Sequence, residues 1–301
     1  MSDIKIKINT ISKSIRLPFL VLTPACMFLG WSIAIANQAH IEVHLLVLSL
    51  LAAMFAHISV NALNEYHDFK SGLDLNTKKT PFSGGSGALP EHPEMANSVL
   101  TVGIFTLVIT LSIGAFFVWT YSWAIMPIGI AGLLLIMTYT GWVNRHPLIC
   151  LIAPGLGFGF FMVAGANFAL TGAYSMPLWL ICLVPFFLVN NLLLLNQYPD
   201  IDADREVGRY HFPIAYGIHL SNIAYGLFAV LTMVVIVAAV VNDIIPVLGL
   251  IALMPMPLAF FALRGAMKYG GTIGQHPKYL AANVMLTIFM PVLLAVSIIY
   301  G

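Results

Sequence analysis

Residues 17–36 read LPFLVLTPACMFLGWSIAIA, twenty positions without a charge. That length matches the roughly 20 apolar residues that cross a bilayer core of about 30 Å. Lys5, Lys7, Lys13 and Arg16 precede the run and Ala34-Ile35-Ala36 resembles a cleavage site, so a secretory leader is the competing reading. A leader core extends over only about 7–15 apolar residues, and the run is therefore read as a retained first helix. Working outward from it, stretches of spanning length fall at residues 43–66, 96–120, 124–143, 148–171, 177–198, 219–241, 244–263 and 279–300. The expectation is an all-α membrane protein whose nine helices bundle around a central cavity, as one domain over residues 1–301. Charged residues make up 8% of the chain and apolar ones 60%, which excludes a soluble fold because too little polar surface exists to face water.

Most connections are short and carry turn formers, for example Asn242-Asp243 and Thr171-Gly172, so neighbouring helices should pack as antiparallel hairpins. Longer segments follow the second span (67–95) and the sixth (199–218). With nine spans, all 13 Lys and Arg residues fall on the face that carries the N-terminus, and the positive-inside rule makes that face cytoplasmic. A misplaced helix would scramble this partition. No basic stripe with interleaved aromatics is present, so nucleic acid is not an expected partner. Cys26, Cys150 and Cys182 lie in apolar runs without paired spacing, against both a disulfide framework and a zinc site.

Two polar clusters stand out against this background. The first, NALNEYHDFKSGLDLNTKK at 61–79, spaces Asn61, Asn64 and Asp68 three and four apart, on one helical face, with His57 a turn earlier. The second, NQYPDIDADREVGR at 196–209, repeats a spacing of four at Asn196, Asp200 and Asp204, although Pro199 can end or kink the helix there. A solvated loop is the plain alternative for the acids. Against it, a random loop need not place carboxamides at helical spacing before carboxylates, and acids near a bilayer are costly, about 2.5–3.5 kcal/mol each on insertion scales. Oxygen-only ligand sets suit Mg²⁺, commonly completed by substrate phosphates. Lys78, Lys79, Arg145, Arg205 and Arg209 share the face and can neutralise remaining phosphate charge.

The pattern NxxNExxDFxxGxD with its following Thr-Pro-Phe-Ser-Gly-Gly turn, together with DxDxDRxxGR, resembles the paired signatures of the UbiA superfamily of intramembrane prenyltransferases. Within it, the first motif is similar to the branch that prenylates 1,4-dihydroxy-2-naphthoate for menaquinone. The resemblance implies Mg²⁺-dependent transfer of a polyprenyl group from its diphosphate to an aromatic acceptor. It also implies that Asn64, Asp68, Asp200 and Asp204 are catalytic and help hold the metal, with Asp74 beside them. Tyr139 and Arg145, in TYTGWVNR, resemble the family's tyrosine and basic residue near the diphosphate, and Arg16 before Leu17-Pro18 resembles its first-helix Arg-Pro region. Substrate-binding candidates are thus Arg16, Asn61, Lys78, Lys79, Tyr139, Arg145, Asn196, Arg205 and Arg209. Two departures bear on the acceptor: Glu65 stands where Asp is usual, and Arg209-Tyr210-His211-Phe212 replaces a commoner Gly-Lys-Arg-Thr-Leu ending.

Ionisation of an allylic diphosphate needs a dry site, and Tyr66, Phe69, Tyr139, Trp142 and Tyr198 are candidate aromatic walls for the cation, with interfacial anchoring as their alternative role. Gly84, Gly85 and Gly87 read as a flexible turn or lid, and Gly155, Gly157, Gly159 and Gly165 as close-packing positions. A bacterial inner membrane is the expected setting. Rival readings are a transporter, whose sites usually lie at the midplane on broken helices, and a non-catalytic prenyl-lipid-binding relative.

Overall fold

A computed structural model describes residues 2–37, 41–77 and 79–301. Its long helices are α1 (Ser2–Ser14), α2 (Leu17–Ala36), α3 (Val43–Lys70), α4 (Pro93–Thr120) and α5 (Trp123–Thr138). After these come α6 (Pro147–Thr171), α7 (Met176–Asn196), α8 (Phe212–Val241), α9 (Val247–Gln275) and α10 (Pro277–Tyr300). No strand occurs among the described residues. Eight of these, α2 to α4 and α6 to α10, are long and apolar enough to cross a membrane. α5 is the shorter ninth apolar helix, ending at Thr138 where the sequence suggested 143. Its last expected turn, Tyr139 to Trp142, unwinds toward a short 3₁₀ turn at Val143–Arg145. α1 was not anticipated: its alternating Ile and Lys hide a helix whose Ile11, with Ile15 just beyond it, packs under α3 and α4.

Proline and glycine set many of the boundaries. Proline occupies the first turn of α6, α7, α8 and α10, where its missing N–H costs nothing. Gly172, at φ 67°, closes α6 in the left-handed conformation. Inside α6, Pro154 removes a ladder donor, and past Gly155 the seven residues Leu156–Met162 run as a π-helix. α8 begins at Phe212, seven residues before the expected start, because a non-helical Gly217 (φ 78°, ψ 167°) breaks the pattern that periodicity follows.

α7 is the central helix, flanked by α6, α8 and α10, while α2 packs on α6 and α10, and α3 pairs with α4 along its length. Two of the four glycines of α6 pack as expected, Gly155 and Gly159 lying against the α7 backbone around Phe186 where any Cβ would collide. Gly157 instead lines the cavity and Gly165 has only ordinary neighbours. Polar glue holds α7, α8 and α10 together. Asn191 donates to the Tyr225 carbonyl (3.0 Å), the Tyr225 hydroxyl to Asn283 (2.9 Å), and Asn283 to the Asn191 carbonyl (3.1 Å). All three cysteines are free and buried.

Candidate active site

The bundle encloses a cavity of about 300 Å³ at the end where α2 begins and α3, α5 and α7 finish. Asn61, Asn64 and Asp68 reach it from one face of α3, and Asn196 from the last turn of α7. α7 stops there, so Asp200 and Asp204 are carried by a turn at Pro199 and a short helix, Ile201–Glu206. The spacing of four survives although the single helix does not, and both carboxylates still line the cavity. Asp74 enters from Leu73–Asn76, a one-turn helix after a positive-φ Gly72.

The four acids divide into two pairs. Asp68 accepts from Asn64 (2.6 Å) and pairs with Arg209; Asp204 accepts from Arg209 (2.9 Å) and from His211 (2.9 Å). Burial opposes the charge on Arg209, but Asp68 and Asp204 on either side outweigh it and keep the guanidinium protonated. By contrast, Asp74 Oδ2, Asp200 Oδ1 and Asn196 Oδ1 are buried without a hydrogen-bond partner among the described residues. Burial first, and neighbouring carboxylates second, push Asp74 up to about 8 and Asp200 up to about 7. Four carboxylates therefore face two lining guanidinium groups, Arg16 and Arg209. Arg16 sits in the left-handed region (φ 53°) and makes no ion pair among the described residues, a strained backbone that aims a free cation inward.

The loop between α3 and α4 closes the polar end. The Gly84 N–H donates to Asp200 (3.0 Å), and the Ser86 hydroxyl donates to the carboxylate of Glu65. Gly84, Gly85 and Gly87 all have positive φ, which the tight path over the carboxylates requires. The other end is apolar, lined by Val21, Leu22, Val60, Leu135, Phe158, Phe161 and Met162.

Ten of the residues singled out from sequence meet in this cavity: Arg16, Asn61, Asn64, Asp68, Asp74, Tyr139, Asn196, Asp200, Asp204 and Arg209. Three lie outside it. Lys79 turns toward Gly87, Arg145 is exposed, and Arg205 faces Asp202 at 3.6 Å. Lys78 lies outside the described residues. Of the proposed aromatic walls only Tyr139 lines the cavity. Tyr66 and Phe69 fall off the 61/64/68 face and pack toward α4, Trp142 is exposed, and Tyr198 is buried on Asn222 (2.9 Å). The aromatic lining is Phe19, Phe82, Phe158 and Phe161 beside Tyr139, and apolar periodicity alone could not have separated these from lipid-facing phenylalanines.

The sequence profile of the UbiA prenyltransferase family matches residues 24–298. The chain belongs to the UbiA prenyltransferase family. It is 27% identical over 183 residues to the 1,4-dihydroxy-2-naphthoate octaprenyltransferase of Bacillus subtilis, a match over 59% of this chain and 56% of that protein. The chain thus spans just over half the length of that curated relative. Among solved structures, the apo UbiA homologue of Aeropyrum pernix superposes with a TM-score of 0.68 at 15% identity, over 92% of this chain and 97% of that one. The Archaeoglobus fulgidus UbiA homologue bound to DMAPP and Mg²⁺ gives 0.65 at 13% identity, over 95% and 99%. The UbiA fold and its integral membrane character follow.

Whether the donors suit a hard cation is answered by the side chains themselves. Three oxygens at the acidic end are buried and unpaired, the acids outnumber the lining guanidinium groups, and His211 Nδ1 in the same lining is a buried, unpaired nitrogen. Among the described residues no three acids, histidines or cysteines are grouped to hold a metal unaided. That arrangement fits Mg²⁺, which is usually held by one or two carboxylates, waters and a substrate phosphate.

Proposed function

We propose that this protein transfers a polyprenyl group from its diphosphate to an electron-rich aromatic acceptor, of the hydroxynaphthoate type used in menaquinone synthesis, with Mg²⁺ as cofactor. The observation that carries the reading is one cavity that is anionic at its capped end and apolar along the rest, a shape suited to a lipid with a diphosphate head. Asp74, Asp200 and Asn196 offer unpaired oxygens, and Asn64, Asp68 and Asp204 stand beside them to hold Mg²⁺. When bound, Mg²⁺ supplies Lewis-acid neutralisation of the diphosphate charge.

The chain's own residues do the rest. Arg209 and Arg16 pair with diphosphate oxygens, Arg209 being held ready by Asp68 and Asp204. Tyr139 stays protonated, because burial pushes its phenol up, and so donates a hydrogen bond toward the departing oxygen. Asn61 steadies the start of α2 through the Ile15 carbonyl (2.9 Å). The 80–87 loop and the phenylalanine walls exclude water that would quench an allylic cation. Lys78, Lys79, Arg145 and Arg205 attract the anionic substrate to this face, for which the positive-inside rule supports the cytoplasmic side, and the setting proposed is a bacterial inner membrane.

The test incubates purified full-length protein with a labelled polyprenyl diphosphate, Mg²⁺ and a panel of phenolic and naphthoic acids. Metal-dependent prenylated product with matching diphosphate release is expected. Absence of both with every acceptor, or uptake of solute into proteoliposomes instead, overturns the proposal.

A further inference from the structure

His57 is a polar side chain in the apolar part of the cavity, and the reaction as described leaves it unused. It shares the cavity face of α3 with Asn61, Asn64 and Asp68, at positions i, i+4, i+7 and i+11. One helical turn, about 6 Å, separates it from Asn61 on the side away from the carboxylates. The ring is 6% exposed and held on two sides. Its Nδ1 lies 2.8 Å from the hydroxyl of Thr23, itself fully buried in α2. The edge of the ring meets Phe158 at a centroid distance of 4.9 Å and 82°. The other ring nitrogen, Nε2, has no hydrogen-bond partner among the described residues, and the ring lines the cavity.

A polar nitrogen left unpaired in an apolar wall is costly unless a ligand pairs it. The facing wall supplies the other half of a site. The π-helical stretch of α6, Leu156–Met162, carries Phe158 and Phe161, and both line the cavity, Phe158 directly against His57. Single π turns recur where a helix must re-aim side chains at a functional site. A flat ring bearing a hydroxyl matches this wall, whereas a polyprenyl tail has nothing to offer Nε2.

We propose that His57, oriented by Thr23, hydrogen-bonds a ring hydroxyl of the aromatic acceptor, and that Phe158 and Phe161 form the sides of that acceptor subsite. The inference rests on the prenyl-transfer reading and assigns the acceptor end of the same cavity. The hydrogen bond fixes which carbon of the ring faces the diphosphate-bearing end.

The experiment uses the full chain in lipid nanodiscs with Mg²⁺, a polyprenyl diphosphate, and a dihydroxynaphthoic acid or its mono-O-methyl ethers. Binding of a non-ionising prenyl thiodiphosphate is measured alongside by calorimetry. For His57→Leu, the acceptor KM should rise about tenfold, the size of one lost hydrogen bond, while thiodiphosphate affinity stays within about twofold. His57→Asn should recover part of the loss, and Thr23→Val should lose less than His57→Leu. One of the methyl ethers should cost wild type about tenfold and cost His57→Leu nothing further. Losses from ether and mutation that multiply would overturn the assignment. So would a His57→Leu effect confined to thiodiphosphate affinity or prenyl-length preference, which would place the tail at this wall. Should His57→Leu fail to fold, His57→Asn and Thr23→Val tested with the ethers carry the same comparison. Wild type that prenylates no acceptor defeats the transfer reading itself, and this inference with it.

Discussion

The carboxylates on the end of α3 and those beyond α7 carry the same residue types at similar spacing, yet the two regions are built differently. α3 continues unbroken through Asp68 to Lys70, so Asn61, Asn64 and Asp68 inherit one face from helical geometry. α7 ends at Asn196, and Asp200 and Asp204 are placed by a proline turn and a six-residue helix. The bonding of the acids cuts across the two regions. Asp68 and Asp204 are tied to Arg209, whereas Asp74 and Asp200 each keep a buried oxygen without a partner. Two carboxylates are braced across the cavity by Arg209 while standing beside the proposed metal site, and two keep an unpaired oxygen for a ligand.

Removing one acid from each class breaks the comparison most sharply. Asp68→Ala and Asp200→Ala should both lower turnover by a factor on the order of 10² to 10³, as losses of preorganised charge do. Their stabilities should diverge. Asp68→Ala strips one partner from a guanidinium buried between two, and leaving a buried charge undercompensated costs up to about 3 kcal/mol. Asp200→Ala removes a repelled carboxylate and should leave the melting temperature of the metal-free protein unchanged or raised. Equal destabilisation by both would show that the division between holding and binding acids is wrong.

Arg209→Lys comes next. A lysine keeps the charge but cannot fork to Asp68 and Asp204 together, so diphosphate-substrate KM should rise about tenfold or more with a smaller fall in stability than Asp68→Ala produces. Steady-state kinetics at varied prenyl diphosphate would read it. An unchanged KM would remove Arg209 from substrate binding.

The raised acids give a pH dependence of opposite sign with and without metal. Asp74 near 8 and Asp200 near 7 bind protons more tightly folded than unfolded, so their contribution to stability is complete below about pH 4 and is lost as pH rises through about 7 to 8. Metal-free protein should therefore melt lower at pH 8.5 than at pH 6. Mg²⁺ must displace those protons, so its apparent affinity should strengthen over the same window. Thermal shift and titration calorimetry across pH 6 to 8.5 check both signs, and a pH-independent Mg²⁺ affinity would contradict the proposed ligands.

Much of this was legible in the sequence, for identifiable reasons. Spanning helices follow from apolar length, and Asn61, Asn64 and Asp68 follow from a period that one helix preserves. Legibility failed where position depends on packing between elements. Lys79, Arg145 and Arg205 share a face with the site but point away from it, since charge alone does not say where a loop residue turns. Two of the phenylalanine walls, Phe158 and Phe161, are carried by a π stretch after Pro154 that no hydrophobic period announces. Arg209 is a legible candidate, but its bond to the α3 acid Asp68 joins residues 141 apart in the chain.

Glu65 offers the smallest and finest cut between the two regions. The residue does not line the cavity, and its carboxylate turns onto Ser86, accepting from both its hydroxyl and, at 3.4 Å, its N–H. That contact anchors the loop whose Gly84 N–H reaches Asp200, so α3 influences the acid beyond α7 through the loop and not through the cavity. Glu65→Asp shortens the side chain by roughly one C–C bond, about 1.5 Å, too far for the Ser86 contact to survive unshifted. The expected outcome is faster amide exchange at residues 84–88 and a two- to fivefold fall in turnover, about the worth of one hydrogen bond, with prenyl diphosphate affinity nearly kept. If exchange in the loop stays unchanged while Mg²⁺ affinity moves, the carboxylate acts on the metal directly, and Glu65 belongs with the binding acids.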